Sequence, residues 1–140
     1  GLVVTARTRF GRTSLVGDAK RSDFLAREEI ELMLPRATAA ADLLRNMNAP
    51  GLRIREVYEV DQITGVMLPT LCVEVSRRSG GEGCVPAAVA LNNVVVLSGA
   101  ELLRTLDPNT IDRIEILSPV DAQFQFGSVA GNGAIAIYTR

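Results

Sequence analysis

The feature that most constrains the fold is a period-two pattern in the last third of the chain, on both sides of a glycine-rich turn. Ile114 and Ile116 alternate with other residues before the turn, and Ile135 and Ile137 alternate with alanine and tyrosine after it. Successive side chains of a β-strand point to opposite faces of a sheet, so each stretch predicts a strand with an apolar face. The chain is therefore expected to end in two strands joined by a compact turn.

Four stretches in the middle of the chain also predict strands. Residues 52–60 and 71–75 alternate, and the first of them shifts phase part-way along, as a β-bulge would make it do. Residues 84–91 and 94–97 are separated only by Asn92-Asn93. Asparagine tolerates positive φ better than any other non-glycine residue, so this pair predicts a tight type I′ turn.

Short helices are predicted around these strands. Apolar residues at helical spacing indicate one helix over residues 23–34, which Pro35 ends, and a second over residues 38–47. A third covers residues 99–106, and Asp107-Pro108 opens a further turn with aspartate as N-cap. The prediction is an α+β fold, a small mixed β-sheet with short peripheral helices.

The first 22 residues differ from the rest. Residues 2–9 are rich in β-branched side chains and predict a strand, whereas residues 10–22 are mostly polar and predict a loop. We therefore divide the chain into this N-terminal strand and loop, residues 1–22, and a compact unit over residues 23–140. A chain of 140 residues is long enough to bury a hydrophobic core.

Composition narrows the classes of function. Fifteen basic and sixteen acidic residues give a formal charge of −1, which argues against a nucleic-acid binder that needs a basic face. Histidine is absent, which removes the usual general base and the commonest nitrogen ligand for metals, and leaves no partner for a serine nucleophile. We expect a protein that is not an enzyme and has no metal or cofactor.

The glycine-rich turn, residues 127–133, is the most conspicuous motif. A phosphate-binding loop follows a strand and precedes a helix, whose N-terminal amides hold the anion. Here a strand pattern follows the glycines, and no Lys-Ser or Lys-Thr pair is present there. The glycines are therefore interpreted as turn residues at the entry to a strand.

Two cysteines, Cys72 and Cys84, are separated by eleven residues. Their spacing alone leaves open a disulfide across a hairpin loop or two free thiols, whereas a zinc site would need further ligands. No apolar run approaches the length of about 20 residues that a membrane-spanning helix needs. The first residues also lack the charged start and long apolar run of a signal peptide.

The end of the chain resembles the closing signature of the plug domains of TonB-dependent outer-membrane receptors. Residues 110–117, 126–128 and 131–140 follow the family's "I-x-x-I-E-V-L-x-G", "Y-G-S" and "x-x-G-x-I-x-I-x-T-K/R" patterns in order. The residues that carry this plug signature are Ile114, Glu115, Gly127, Gly131, Gly133, Ile135, Ile137 and Thr139. The resemblance implies a plug-like domain over residues 23–140.

Two upstream stretches add to the resemblance. Residues 27–51 are similar to "R-x-x-I-E … D-L-L-R-x-x-P-G", and residues 84–94 to "C-x-P-x-x-Y-V-D-G-V". Asn92-Asn93 stands where the family has Asp-Gly, Pro119 where it has glycine, and Ala26 where it has threonine. We find no TonB box and no barrel-length series of strands in these residues, so no gating or energy-coupling role is assigned to any of them.

The resemblance and the missing catalytic groups together imply a non-enzymatic, periplasmic protein-interaction module. We expect an accessory or structural subunit that stabilises a larger membrane protein complex, for example a photosynthetic or respiratory one. It would be membrane-associated through its partners, either that complex or a separate β-barrel. The alternative is the gating plug of a TonB-dependent outer-membrane transporter. In the periplasm, Cys72 and Cys84 are expected to form a disulfide.

Overall fold

The computed structural model describes residues 23–47, 49–75 and 83–140. The strand predicted at residues 2–9 and the loop predicted at residues 10–22 lie outside the described residues. The described ranges contain seven strands and four α-helices. In chain order these are β1 Phe24–Leu25, α1 Arg27–Met33, α2 Ala40–Asn46, β2 Leu52–Val60, β3 Met67–Val75, β4 Ala88–Leu91, β5 Val94–Val96, α3 Gly99–Thr105, β6 Ile111–Leu117, α4 Pro119–Phe126 and β7 Ala134–Thr139.

The strands form two sheets, and the α+β prediction is confirmed. Five strands make a mixed sheet in the order β1-β6-β7-β4-β5, in which β4 and β7 are parallel and the other neighbours antiparallel. The remaining two, β2 and β3, pair only with each other among the described strands and form a separate antiparallel hairpin. The sequence predicted both strands but not their separation from the main sheet.

Strand β7 lies at the centre of the main sheet, between β6 and β4, and its two faces are buried against different layers. Ile135 and Ile137 belong to the main core together with Ile114 of β6. Ala134 faces a smaller cluster with Ala122 of α4. Alternation of large and small apolar residues therefore suits a strand that is covered on both sides.

Helix α1 begins later than predicted. The pattern placed its start near residue 23, but residues 24–25 form β1, which pairs with β6 and buries Leu25. The helix begins at Arg27, because Ala26 has an extended backbone and its amide donates to Glu29 Oε1 at 3.1 Å. A carboxylate that accepts the N-cap amide stabilises the first turn.

Helix α2 lies within the predicted range and has a comparable N-terminal cap. Asp42 Oδ2 accepts hydrogen bonds from the amides of Thr38 at 2.9 Å and Ala39 at 3.2 Å. These bonds hold the pKa of Asp42 below its usual value, and the bond from the Thr38 amide has the largest effect. No helix in the described part of the chain has both the length and the apolar character needed to cross a membrane.

Local turn signals agree with the structure, with one exception. Asn92 and Asn93 have φ of 50° and 72° and join β4 to β5, as a type I′ turn requires. Asp107 Oδ1 accepts from the amide of Asn109 at 2.9 Å, as predicted for an N-cap. The exception is the bulge predicted in β2. That prediction is wrong, because β2 and β3 pair without interruption from Leu52 to Val60.

Candidate interaction site: the apolar hairpin

The hairpin formed by β2, β3 and the turn between them has one face that begins in the core. Residues at alternate positions share a face, and the cross-strand pairs on this face include Ile54 with Val73 and Tyr58 with Pro69. Near the base of the hairpin this face packs against the main core, where Leu71 and Val73 are buried. Farther along the hairpin the side chains of Tyr58, Val60 and Met67, on the same face, are exposed.

The far half of the hairpin exposes large apolar side chains. Tyr58 is 61% exposed, Met67 is 56% exposed, and Ile63 at the turn is 91% exposed. We define the hairpin end as the exposed apolar residues Tyr58, Val60, Ile63, Val66, Met67 and Leu68. Single exposed apolar residues are ordinary, but a group of six on one projecting element is typical of an interaction surface.

The turn of the hairpin is held by its own hydrogen bonds. The amide of Gly65 donates to the carbonyl of Asp61 at 2.8 Å, and the amide of Asp61 donates to the carbonyl of Val66 at 2.9 Å. Asp61 Oδ1 also accepts from the amide of Ile63 at 2.9 Å. These bonds fix the backbone conformation around Ile63, the most exposed apolar residue of the hairpin.

The hairpin end is also acidic. Glu56, Glu59 and Asp61 lie on or just after the far half of β2, and residues 56–76 contain neither lysine nor arginine. A surface of this charge is repelled by anionic lipid headgroups and attracts basic segments. The hairpin end therefore combines apolar contact area with a negative rim.

A disulfide connects the hairpin to the loop that precedes β4. Cys72 and Cys84 are bonded, with their Cα atoms 5.9 Å apart. Cys72 lies on the face of β3 opposite to Leu71 and Val73, as the alternation predicts, and is fully buried. Strand β4 begins at Ala88 rather than at Cys84, so Cys84 belongs to the loop.

An ionic clamp lies beside the disulfide. Glu74 Oε2 accepts from the amide of Val85 at 3.0 Å and from Arg55 Nη2 at 3.4 Å. Arg55 Nη2 also donates to the carbonyl of Gly83 at 2.9 Å. The side chain of Glu74 is only 15% exposed. The loop on both sides of Cys84 is thereby attached to both hairpin strands.

The hydrogen bond from the Val85 amide, followed by the contacts with Arg55 and Arg53, holds the pKa of Glu74 below its usual value. A carboxylate whose folded-state pKa is lowered stabilises the fold above its unfolded-state pKa, and this contribution is lost as the pH falls through the folded-state pKa. We expect Glu74→Gln to lose about 1–2 kcal/mol of unfolding free energy at pH 7, because a hydrogen bond to a charged group is weakened.

The difference between the wild type and Glu74→Gln should shrink as the pH is lowered from about 5 towards 3. Urea titrations across this range measure it. Glu101→Gln, at an exposed position on α3, is the matched control and should follow the wild type throughout. A difference between wild type and Glu74→Gln that is independent of pH would contradict this role of the carboxylate.

The sulfurs of Cys72 and Cys84 and a carboxylate oxygen of Glu74 lie within 4.8 Å of one another, a grouping that also occurs in metal sites. Metal binding by cysteine requires the thiolate. Because the two sulfurs are bonded to each other, they are not thiolate ligands in this state. The cluster is therefore a structural anchor for the hairpin.

The plug-signature residues occupy the core and the turns of the β6-α4-β7 unit. Ile114, Ile135 and Ile137 are completely buried. Thr139 lies at the end of β7, where its amide donates to Asn92 Oδ1 at 3.0 Å. Glu115, on the face of β6 opposite to Ile114, is in register with Ala136. These residues assemble the sheet and lie apart from the hairpin end in the sequence.

The three signature glycines have different roles. Gly127, at the end of α4, has φ +84°, and Gly133, immediately before β7, has φ +93°. Gly131 has φ −63°, which any residue adopts. A strand follows the glycines, so the structure supports turn chemistry and lacks the helix that a phosphate loop needs at this position.

An open groove of about 420 Å³ adjoins the base of the hairpin. It is lined by Leu44, Arg45, Met47, Ala49, Leu52 and Ile54. Leu52 and Ile54 belong to the same face of β2 as Tyr58 and Val60. The groove therefore extends the apolar face of the hairpin towards α2.

The sequence contained a signal for the hairpin end that the strand pattern alone did not resolve. The phase shift in residues 57–60 predicts a bulge. The structure shows instead apolar residues on both faces of regular strands, with Val57 and Val60 on opposite sides. When the alternation of apolar residues stops in a strand without a bulge, that part of the strand is exposed rather than packed on the core.

Comparison with solved structures shows a likeness in fold. No family model and no curated protein matches the chain. The fold is similar to part of a chain in the structure of the RagAB peptide importer in its "open-open" state, with a TM-score of 0.55 and 14% sequence identity. The match covers 92% of this chain and 14% of that chain. The likeness shows the fold alone.

Proposed function

We propose that this domain is a non-enzymatic, plug-like protein-interaction module that acts in the periplasm as an accessory subunit of a larger membrane protein complex. The observation that carries the proposal is the hairpin end, whose apolar face continues out of the core and is exposed. An apolar surface of this kind is stabilised when a partner covers it. The domain would thus associate with the membrane through its partner.

The shape of the hairpin suits docking. The turn hydrogen bonds hold Ile63 at the tip, and the disulfide and the Glu74 clamp hold the base. A surface that is ordered before binding loses less conformational entropy when its partner binds. Tyr58, a large aromatic residue, and Ile63, whose side chain is 91% exposed, are the best candidates for the residues that dominate the binding energy.

The electrostatics of the described residues favour a structural role. The lowered pKa values of Asp42, Glu74 and Asp107 have backbone amides as their first cause, those of Thr38, Val85 and Asn109 respectively. Catalytic acids and bases are usually shifted towards neutral pH. The chain also lacks histidine. These carboxylates thus cap helices and fasten loops, which is a structural role.

We expect the double substitution Ile63→Ser with Met67→Ser to weaken association with the partner at least tenfold, because two exposed apolar anchors are removed. The folded domain should keep its thermal stability, since both side chains are exposed. Affinity capture from mildly solubilised native membranes, followed by native mass spectrometry, measures the association. Leu32→Ser, at a position 77% exposed on α1, is the matched control and should retain the partner.

Equal recovery of the same membrane complex by all three proteins would contradict docking through the hairpin end. A wild-type domain that is monomeric and unattached after mild solubilisation would contradict the proposed function itself. Turnover by the purified domain in hydrolase or redox assays would contradict the non-enzymatic assignment.

A second function, the gating plug of a TonB-dependent outer-membrane transporter, is favoured by the fold likeness to RagAB. Nearly the whole chain matches a small part of that importer chain. Under this hypothesis the partner is a β-barrel, and the hairpin end faces its interior. If Ile63→Ser with Met67→Ser alters solute uptake through a captured barrel, the gating function is supported. If it releases the domain from a complex without affecting uptake, the accessory function is supported.

A further inference from the structure

The outer edge of β2 can accept a further strand. Among the described strands, β2 and β3 pair only with each other, so β2 is an edge strand within that part of the chain. An edge strand presents a row of backbone amides and carbonyls that can pair with another chain. Strand β2 has nine residues, enough for its side chains to specify the register of such a pairing.

Alternate residues of β2 direct their backbone groups towards this edge. The amide of Asp61, in phase with the odd-numbered residues of the strand, donates to the Val66 carbonyl across the hairpin. The amide of Leu52 donates to the Ala49 carbonyl rather than to β3. Inward and outward residues alternate in an antiparallel pair. The outward backbone groups are those of Ile54, Glu56, Tyr58 and Val60, which make no backbone hydrogen bond to any described element other than β3.

The charges on one face of β2 are divided between its two halves. Arg53 and Arg55 lie in the half nearest the core, Glu59 lies in the far half, and Asp61 follows the strand. These residues occupy alternate positions, so they share a face. Val57 is the middle residue of the series. On either side of Val57, a basic and an acidic residue therefore stand at equal distances.

We propose that two copies of this chain pair through the outer edges of β2, antiparallel and centred on Val57, to form one four-stranded sheet. This proposal goes beyond the proposed function and does not depend on it. A twofold axis at the centre makes every contact occur twice. It sets Arg55 opposite Glu59 of the second copy. It also sets Arg53 opposite Asp61 of the second copy.

The other face of the paired strands is compatible with the same register. Ile54 lies opposite Val60 of the second copy, which is an apolar pair. Glu56 lies opposite Tyr58 of the second copy, so the two Glu56 carboxylates do not face each other. All four residues have outward backbone groups, which therefore meet one another across the edge. Adding a strand to a sheet edge satisfies these groups, and the side chains provide selectivity.

The charges favour this register over its neighbours. A centre at Glu56 sets the two Glu56 carboxylates opposite each other and retains only one kind of opposite-charge pair. A centre at Tyr58 also retains only one kind. Centres at Arg55 and Glu59 set like charges opposite each other. Opposite charges in cross-strand pairs are stabilising and like charges are destabilising, so the centre at Val57 is preferred.

The open groove beside α2 supports the same arrangement. In this register Ile63 of the second copy lies beside Gly51, just before β2 begins. Gly51 is flanked in sequence by Ala49 and Leu52, and both of these residues line the groove. Ile63 is the most exposed apolar residue of the hairpin. Pairing thus brings the tip of each hairpin to the groove of the other copy.

Edge pairing leaves the apolar face of the hairpin end available. The twofold axis is perpendicular to the sheet, so the faces that carry Tyr58 and Val60 in the two copies lie on the same side. A partner of the domain would then meet a wider apolar surface. Pairing through a single edge strand buries a small area, so we expect a weak and reversible dimer.

Sedimentation of the purified full chain over a range of concentrations tests the pairing. We expect the wild type to show a reversible monomer–dimer equilibrium. Glu59→Arg should weaken dimerisation about tenfold, because both contacts with Arg55 become repulsive. Glu101→Arg, at an exposed position on α3, is the matched charge reversal and should dimerise like the wild type.

Cross-linking tests the register. Val57 lies opposite itself at the twofold axis, in a pair without mutual backbone hydrogen bonds. The Cα atoms of such a pair are about 4.5 Å apart, which is within the range of a disulfide. Val57→Cys should therefore form a covalent dimer under mild oxidation. Leu32→Cys, at a position 77% exposed on α1, is the control for random collision and should form far less.

A wild-type chain that is monomeric at every concentration would overturn the proposal. A dimer that Glu59→Arg leaves unchanged would also overturn it, since the copies would then meet elsewhere. Equal cross-linking of the two cysteine variants would overturn the register centred on Val57. These experiments use the purified chain alone, so their failure is distinguishable from failure of the capture experiments, which test the proposed function.

Discussion

Replacing Gly133 by alanine is expected to destabilise the domain by about 3 kcal/mol, from backbone strain and overpacking together. Gly133 has φ +93°, a conformation that residues with a Cβ rarely adopt. An added Cβ would lie 2.9 Å from Val75 Cβ and 3.0 Å from the Leu117 carbonyl oxygen. The substitution therefore strains the entry to the central strand and pushes the hairpin base away from the main sheet.

Gly131→Ala is the matched control for this prediction, because it adds the same methyl group in the same turn. Its φ of −63° suits alanine, and the nearest atom to an added Cβ is the Ser128 carbonyl oxygen at 3.3 Å. We expect a change within about 1 kcal/mol. Urea unfolding followed by circular dichroism compares the two variants with the wild type. Equal stability of Gly133→Ala and Gly131→Ala would contradict the tight contact between the turn and the hairpin.

Removing the disulfide with Cys72→Ala and Cys84→Ala is expected to lower the unfolding free energy by about 3 kcal/mol. The bridge joins residues 12 apart in sequence and so limits the conformations of the unfolded chain. It also joins the buried part of β3 to the loop before β4. When hydrogen–deuterium exchange is measured segment by segment, the loss of protection should therefore be largest in the hairpin and in the loop before β4.

A reducing agent provides the control for the cysteine substitutions. Wild-type protein should lose stability when a dithiol reductant is added, whereas the double variant should be insensitive to it. Non-reducing mass spectrometry of the wild type should find no free thiols, since both cysteines are bonded. Free thiols with unchanged stability under reductant would contradict the bridge and weaken the proposed periplasmic location.

Local chemistry made most of the fold predictable. The alternation at Ile135 and Ile137, the paired asparagines at 92–93 and the cap at Asp107 each depend on a few neighbouring residues, and each agrees with the structure. At residues 24–25 the local pattern predicted a helix, but pairing with β6, which is distant in sequence, makes them a strand. Their apolar character fitted a helix start, but burial of Leu25 against β6 places them in a strand.

The candidate site was less predictable, for a physical reason. Alternation shows that a residue lies on an apolar face, but it does not show whether that face is covered. Ile54 and Val60 have the same pattern in the same strand, and only the structure shows that one packs on the core while the other is exposed. The contact between Glu74 and the Val85 amide likewise depends on where the loop returns to β3.

The position of β7 has a consequence for how the domain folds. Strands β1 and β6 form one pair and β4 and β5 another, and β7 alone joins them into a sheet. Its parallel partner β4 is distant in sequence, with Ala88 in register with Ala134. Pairing over such a separation raises the contact order and slows folding. The five-stranded sheet therefore cannot be complete until residues 134–139 are available to join the β1-β6 pair to the β4-β5 pair.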